Sequence, residues 1–156
     1  MRGLMSVKFN VALLAATAAL FAQPAFSQGH EKVFGQKGDP KKVSRTIDLE
    51  MSDAMRFAPG ELAVKQGETV RFRLKNSGKV MHEMVLGTMP DLKAHSETMR
   101  KDPGMHHHGE AGMVHVAPGK TGTLVWQFTH PGEFNYACLV PGHFEAGMVG
   151  TVKVAP

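Results

Sequence analysis

The single cysteine of this 156-residue chain carries the tightest constraint on what it can become. It stands in Cys138-Leu-Val-Pro-Gly-His143-Phe-Glu-Ala-Gly-Met148, so four residues separate thiol from imidazole and four more separate imidazole from thioether. That order of donors, close to the end of the chain, is the one a mononuclear copper electron-transfer site needs: a thiolate and two imidazoles near one plane, with a weak axial sulfur. The second imidazole must then come from far upstream, and His82 is the candidate. Pro141 stiffens the loop and has no N–H to offer, Gly142 permits close approach, and Gly147 precedes the axial Met148.

Other readings of the same residues are weaker on chemical grounds. Zinc prefers a closed tetrahedron without methionine, and magnesium or calcium has no use for thiolate or thioether. A nucleophile and base pair of Cys138 and His143 lacks an orienting acid nearby and any identifiable oxyanion donors. A buried free cysteine beside an ordinary histidine and a core methionine leaves the spacing unexplained.

Compartment and size are consistent with that chemistry. Residues 1–27 read as a secretory signal: Arg2 and Lys8 open it, an apolar run from Phe9 to Phe21 is too short to span a bilayer, and Ala25-Phe26-Ser27 fits a small-x-small cleavage site. Processing at that point starts the mature chain at Gln28 and lowers the formal charge from +4 to about +2. Such a balance points away from nucleic acid. The mature chain carries no membrane span, and a periplasmic location follows from export. A lone thiol in an oxidising compartment is a hazard unless something occupies it, and a metal would.

Residues 28–44 are polar, glycine-bearing and lysine-rich, which predicts a flexible leader ahead of a domain at 45–156. Strand patterns recur within it at Ile47 to Met51, Leu62 to Val64, Val70-Phe72-Leu74, Val80 to Leu86, Leu124-Trp126-Phe128, Phe134-Tyr136-Cys138 and Val149 to Val154. Turn chemistry separates them, as in Asn76-Ser77-Gly78 and His130-Pro131-Gly132. Seven short strands with polar-out alternation predict an all-β, Greek-key β-sandwich, with Trp126, Phe72, Phe128, Phe134 and Tyr136 in its core. An insertion at 88–113 interrupts this rhythm. Pro90-Asp91 opens a helix on which Leu92, His95 and Met99 share a face, and Asp102-Pro103-Gly104 ends it.

From Phe57 to Val154 the chain resembles the cupredoxins. The residues that carry the likeness are Phe57-Ala-Pro-Gly-Glu-Leu-Ala-Val-Lys-Gln-Gly-Glu-Thr-Val, the stretch Phe72 to Asn76, Met81-His82-Glu83, and Phe134-Asn-Tyr-Ala-Cys138-Leu-Val-Pro-Gly-His143 with Met148. The resemblance implies a type 1 copper centre held by His82, Cys138, His143 and Met148. More narrowly, Met-His-Glu-Met-Val-Leu-Gly together with Pro-Gly-His-Phe-Glu-Ala-Gly-Met-Val-Gly is similar to the periplasmic cupredoxins of bacterial copper tolerance. One residue departs from the family pattern. Many cupredoxins follow the first histidine with an asparagine that ties the two ligand loops together, and this chain has Glu83. Strand alternation sets Glu83 on the face opposite His82, outside the metal's own ligands.

Residues 81 to 115 hold six methionines and six histidines, more than packing demands. Met105, His106, His107 and His108 suit a second, Cu(I)-binding site, and His95 with Met99, one helical turn apart, could join it. The competing reading is a solvated histidine tract beside a helix that packs one face on the sandwich. A processed N-terminus of Gln28, Gly29 and His30 would offer an amine, two amides and an imidazole to Cu(II). Phe144 is expected on an apolar patch around His143, facing a redox or copper-handling partner. These features predict an exported copper-binding protein of copper handling and tolerance, its metal cycling between Cu(I) and Cu(II). The alternatives are a soluble electron carrier to a respiratory or photosynthetic enzyme and, in the enzyme class, a cuprous oxidase.

Overall fold

Period-two alternation becomes ten strands and one helix in the computed structural model, which describes residues 34–102 and 111–156. The strands are β1 (Gly35–Lys37), β2 (Arg45–Ser52), β3 (Arg56–Ala58), β4 (Glu61–Lys65), β5 (Thr69–Asn76), β6 (His82–Gly87), β7 (Met113–Val116), β8 (Thr121–Phe128), β9 (Gly132–Ala137) and β10 (Val149–Ala155); the helix α1 (Met89–Lys101) lies between β6 and β7. They form two five-stranded sheets, in the orders β1-β8-β5-β2-β3 and β4-β10-β9-β6-β7. The chain crosses between sheets repeatedly, which makes β2 and β5 parallel neighbours, and likewise β4 and β10. This is the predicted β-sandwich with a short helical insertion.

The core is what the alternation promised. Val70, Phe72 and Leu74 of β5 point inward with Leu49, Trp126 and Phe128, and meet Leu62, Met84, Leu86, Tyr136, Val152 and Val154 from the other sheet. Burying a side chain of this size stabilises the fold by about 1.5–3 kcal/mol. The core aromatics named from sequence are all buried.

The leader boundary at Arg45 moves in the structure. Residues 35–37 pair antiparallel with Trp126 to Phe128 at the edge of the first sheet. Phe34 is buried, with its ring 5.4 Å from Trp126 and 5.1 Å from Phe134. One buried ring, three strand pairings and scattered backbone bonds such as Gly38 N–H to the carbonyl of Val125 and Ser44 N–H to that of Thr69 carry this segment, so the polar composition of 28–44 conceals it. The signal segment 1–27 and the triad Gln28, Gly29 and His30 lie outside the described residues.

Strand β6 is buried along its whole length. Its inner face enters the core through His82, Met84 and Leu86, while Val85 on the outer face packs with Leu92 of α1, Ala137 and Leu139. The helix starts as the sequence suggests: Thr88 caps it by accepting from the N–H of Asp91, and Pro90 occupies the first turn. Leu92, Ser96 and Met99 form its buried face, and His95 is only half-buried. Among the described residues no helix is long and apolar enough to cross a membrane.

Candidate metal centre

Three donors converge at one end of the second sheet. His82 opens β6, Cys138 follows directly on β9, and His143 sits in the loop that leads into β10. The Cys138 Sγ lies 3.3 Å from Nδ1 of His143 and 3.9 Å from Nδ1 of His82, and the two imidazole rings are 4.9 Å apart. All three donor atoms fall within 4.8 Å of one another, and among the described residues this is the one such group of His, Cys, Asp or Glu. A metal about 2.0 Å from nitrogen and about 2.3 Å from sulfur, with trigonal angles, would set N and S about 3.7 Å apart. The observed separations bracket that value, so the donor set fits a trigonal metal.

The loop is held in shape by its own backbone. Cys138 N–H donates to the carbonyl of Met148, Met148 N–H to that of His143, and His143 N–H to that of Val140. This fastens the thiolate strand to the buried Met148. Gly142 and Gly147 adopt φ of +88° and +85°, in the left-handed region that costs a residue with a Cβ. Gly142 has open space around it, so its role is conformational rather than the close approach expected from sequence. The loop is also clamped from both flanks. Arg56 donates to the carbonyl of Ala146 at 2.8 Å, and the buried Ser96 of α1 donates to Glu145 at 2.9 Å.

Burial sets the electrostatics of the donors. Burial pushes the Cys138 thiol up to about 12, opposed in part by backbone N–H groups of Glu83 and Val140 aimed at the sulfur. Metal binding must therefore displace a proton. Burial, then the neighbouring His82, hold His143 below the usual imidazole range, which keeps its lone pair free.

Glu83 behaves as the alternation implied and then does more. It is 2 % exposed and lies outside the donor triad. One carboxylate oxygen accepts the N–H of Leu139 at 2.9 Å and the other meets Nδ1 of His115 at 2.9 Å, so Glu83 itself bridges the two ligand loops where asparagine stands in many cupredoxins.

Sequence reasoning missed Asp53, whose Oδ1 lies 3.2 Å from Nε2 of His82, and the clamps at Arg56 and at Ser96 with Glu145. Asp53, Arg56 and Ser96 lie outside the ligand-spacing motif, and Glu145 lies inside it without being one of its donors. Asp53 was discoverable only by asking what holds the second nitrogen of a buried ligand imidazole. Of the accessory candidates, Met99 is buried against the sandwich and His95 is half-buried one turn away. Met105, His106, His107 and His108 lie outside the described residues. Phe144 packs half-buried with Leu139, Val85 and Leu92, and Val80 and Met81 are the exposed apolar residues beside His82.

A β-sandwich that brings two imidazoles, a buried thiolate and a buried thioether to one end of its second sheet defines a cupredoxin with a type 1 copper-like site at His82, Cys138, His143 and Met148. Residues 41–155 match the copper binding proteins of the plastocyanin/azurin family, and the chain belongs to that family. It is 54% identical over 121 residues to the copper-resistant cuproprotein CopI of Rubrivivax gelatinosus, an alignment covering 78% of this chain and 73% of that protein. It is 35% identical to CopI of Pseudomonas aeruginosa, over 83% of this chain and 87% of the relative. Among solved structures, auracyanin B superposes with a TM-score of 0.64 over 81% of this chain and 97% of that one at 22% identity, and auracyanin of Roseiflexus castenholzii with 0.62 over 73% and 99%, also at 22%. These two share the fold.

Proposed function

We propose that this chain is an exported copper-tolerance protein that holds copper at a redox-active type 1 centre in the periplasm. The observation that carries the reading is the convergence of Cys138, His82 and His143 within 4.8 Å, in a chain 54% identical to a copper-resistant cuproprotein. Copper bound there supplies one-electron chemistry between Cu(I) and Cu(II). The protein's own residues make that exchange easy. His82 opens β6 and Cys138 directly follows the adjacent β9, and the loop's backbone bonds and its clamps at Ala146 and Glu145 limit rearrangement between the two states. His143, half-exposed at the rim with Pro141 and Phe144 beside it, gives a partner the shortest approach to the metal.

A strain lacking this protein is expected to be copper-sensitive, and wild type but not Cys138→Ser is expected to restore growth at equal abundance. Restoration by the serine variant would remove the type 1 centre from tolerance. If Met105 and His106 to His108 add Cu(I) capacity, replacing them with Ala, Asn, Asn and Asn lowers the Cu(I) bound per chain while leaving the visible spectrum intact. One copper in both proteins, with no copper sensitivity in the deletion strain, would favour electron carriage.

A further inference from the structure

Asp53 occupies the turn between β2 and β3, in the first sheet, yet its carboxylate reaches across to the metal end of the second. It accepts three N–H groups: Lys79 N at 2.7 Å, Val80 N at 3.4 Å and Nε2 of His82 at 3.2 Å. An ionised carboxylate only accepts, so Nε2 carries the ring proton and the Nδ1 lone pair faces Cys138. The imidazole is fully buried while the Asp53 side chain is 38% exposed, so the carboxylate stands between the ring and water. Space has been kept for this contact, because a Cβ on Gly78 would collide with Oδ1 of Asp53.

We infer that Asp53 is a positioning residue for the copper centre: it fixes the tautomer and orientation of His82 and, as a negative acceptor on Nε2–H, strengthens Nδ1 as a donor to Cu(II). A carboxylate behind a ligand imidazole raises the basicity of that ligand, and loss of such a partner typically costs about 10–100-fold in metal affinity. Cu(II) gains more from a stronger nitrogen donor than Cu(I), so Asp53 lowers the reduction potential. The contact also spans the sandwich, tying the first sheet to a ligand carried by the second.

The test is the reduction potential of the copper-loaded protein in three variants. Asp53→Asn keeps one acceptor oxygen in place of two and removes the charge. Gly78→Ala keeps the charge and displaces the carboxylate. Asp48→Asn removes an equal charge from the outer face of the first sheet, where Asp48 pairs with Arg73. Asp53→Asn and Gly78→Ala are both expected to weaken Cu(II) relative to Cu(I) about tenfold, read as a rise of about 59 mV for one electron. Asp48→Asn is expected to leave the potential unchanged. An unchanged potential in Asp53→Asn, or an equal rise in Asp48→Asn, overturns the assignment. Wild type gives a reading even where a variant fails to load copper: NMR of its Cu(I) form should show the Nε2 proton of His82 at low field and in slow exchange. A His82 ring proton indistinguishable from that of half-exposed His143 overturns it equally.

Discussion

The first sheet turns a charged face to water: Arg73 pairs with Asp48, and both side chains are more than 60% exposed. The second is covered on both faces along β6, inside by the core and outside by α1 and the loop that follows β9. All four copper ligands belong to the second sheet or its connections. The contrast shows why the metal sits where it does. A low-dielectric surrounding shields a thiolate from solvent and oxidant, and Cys138 finds one at the end of the shared core, beside the strand that is covered on both faces. The first sheet contributes rigidity, and one acceptor, Asp53, at the boundary.

The largest effect should follow from removing the thiolate. Cys138→Ser deletes the donor that gives bound Cu(II) its intense visible charge-transfer absorption, so copper-loaded protein should bleach completely while the sandwich stays folded by circular dichroism. A coloured serine variant would exclude this site.

Damage to the first sheet's edge should have the opposite character. Phe34→Ala removes a ring packed between Trp126 and Phe134 and should cost the apo protein about 3–5 kcal/mol, measured by urea unfolding. Phe134 stands four residues from Cys138 along β9, roughly 13 Å at strand rise. The visible spectrum of folded Phe34→Ala should therefore match wild type. A changed spectrum would mean that the two ends of the sandwich are coupled.

Proton competition should sharpen the picture of the buried pocket. Burial pushes the apo thiol up to about 12, so at neutral pH it is protonated, and each copper bound as thiolate releases one proton. Apparent copper affinity should rise about tenfold per pH unit between roughly pH 7 and 9. At acid pH the slope should steepen as the His143 imidazole takes up a proton and competes with the metal. For His143 this competition begins lower than for an unburied histidine, because burial lowers its pKa. A flat profile across pH 7–9 would mean that the apo thiol is already ionised.

Legibility in the sequence followed the same division. Strands of the first sheet with one wet face, such as β5, announce themselves by alternation, and so do Leu124-Trp126-Phe128 of β8. Three ligands were legible because donor chemistry and loop spacing are local, whereas His82 was the upstream candidate that the donor set required and the family resemblance then implied. Segments β1 and β3 were not legible, since three residues hold too little pattern and β1 owes its place to edge pairing with β8 and to the one buried ring of Phe34. The outward face of β6 hid a different lesson. Alternation kept Glu83 off the metal, but only three dimensions show its oxygens on Leu139 and His115. Asp53 was invisible because 29 residues and a change of sheet separate it from His82.

The smallest effect concerns the axial sulfur and tests whether the covered sheet or the metal bond holds the loop. Met148 is fully buried, and its backbone closes the loop through Cys138 N–H and the His143 carbonyl, neither of which needs the side chain. Leucine conserves most of the volume, so Met148→Leu should fold with little penalty. The thioether is a long, weak donor that favours Cu(II), and its loss should raise the reduction potential while leaving the thiolate colour in place. Each tenfold weakening of Cu(II) relative to Cu(I) appears as about 59 mV by voltammetry. Loss of copper from this variant would make the sulfur a primary ligand and the loop dependent on it, whereas a lowered potential would mean that Met148 is not the axial donor.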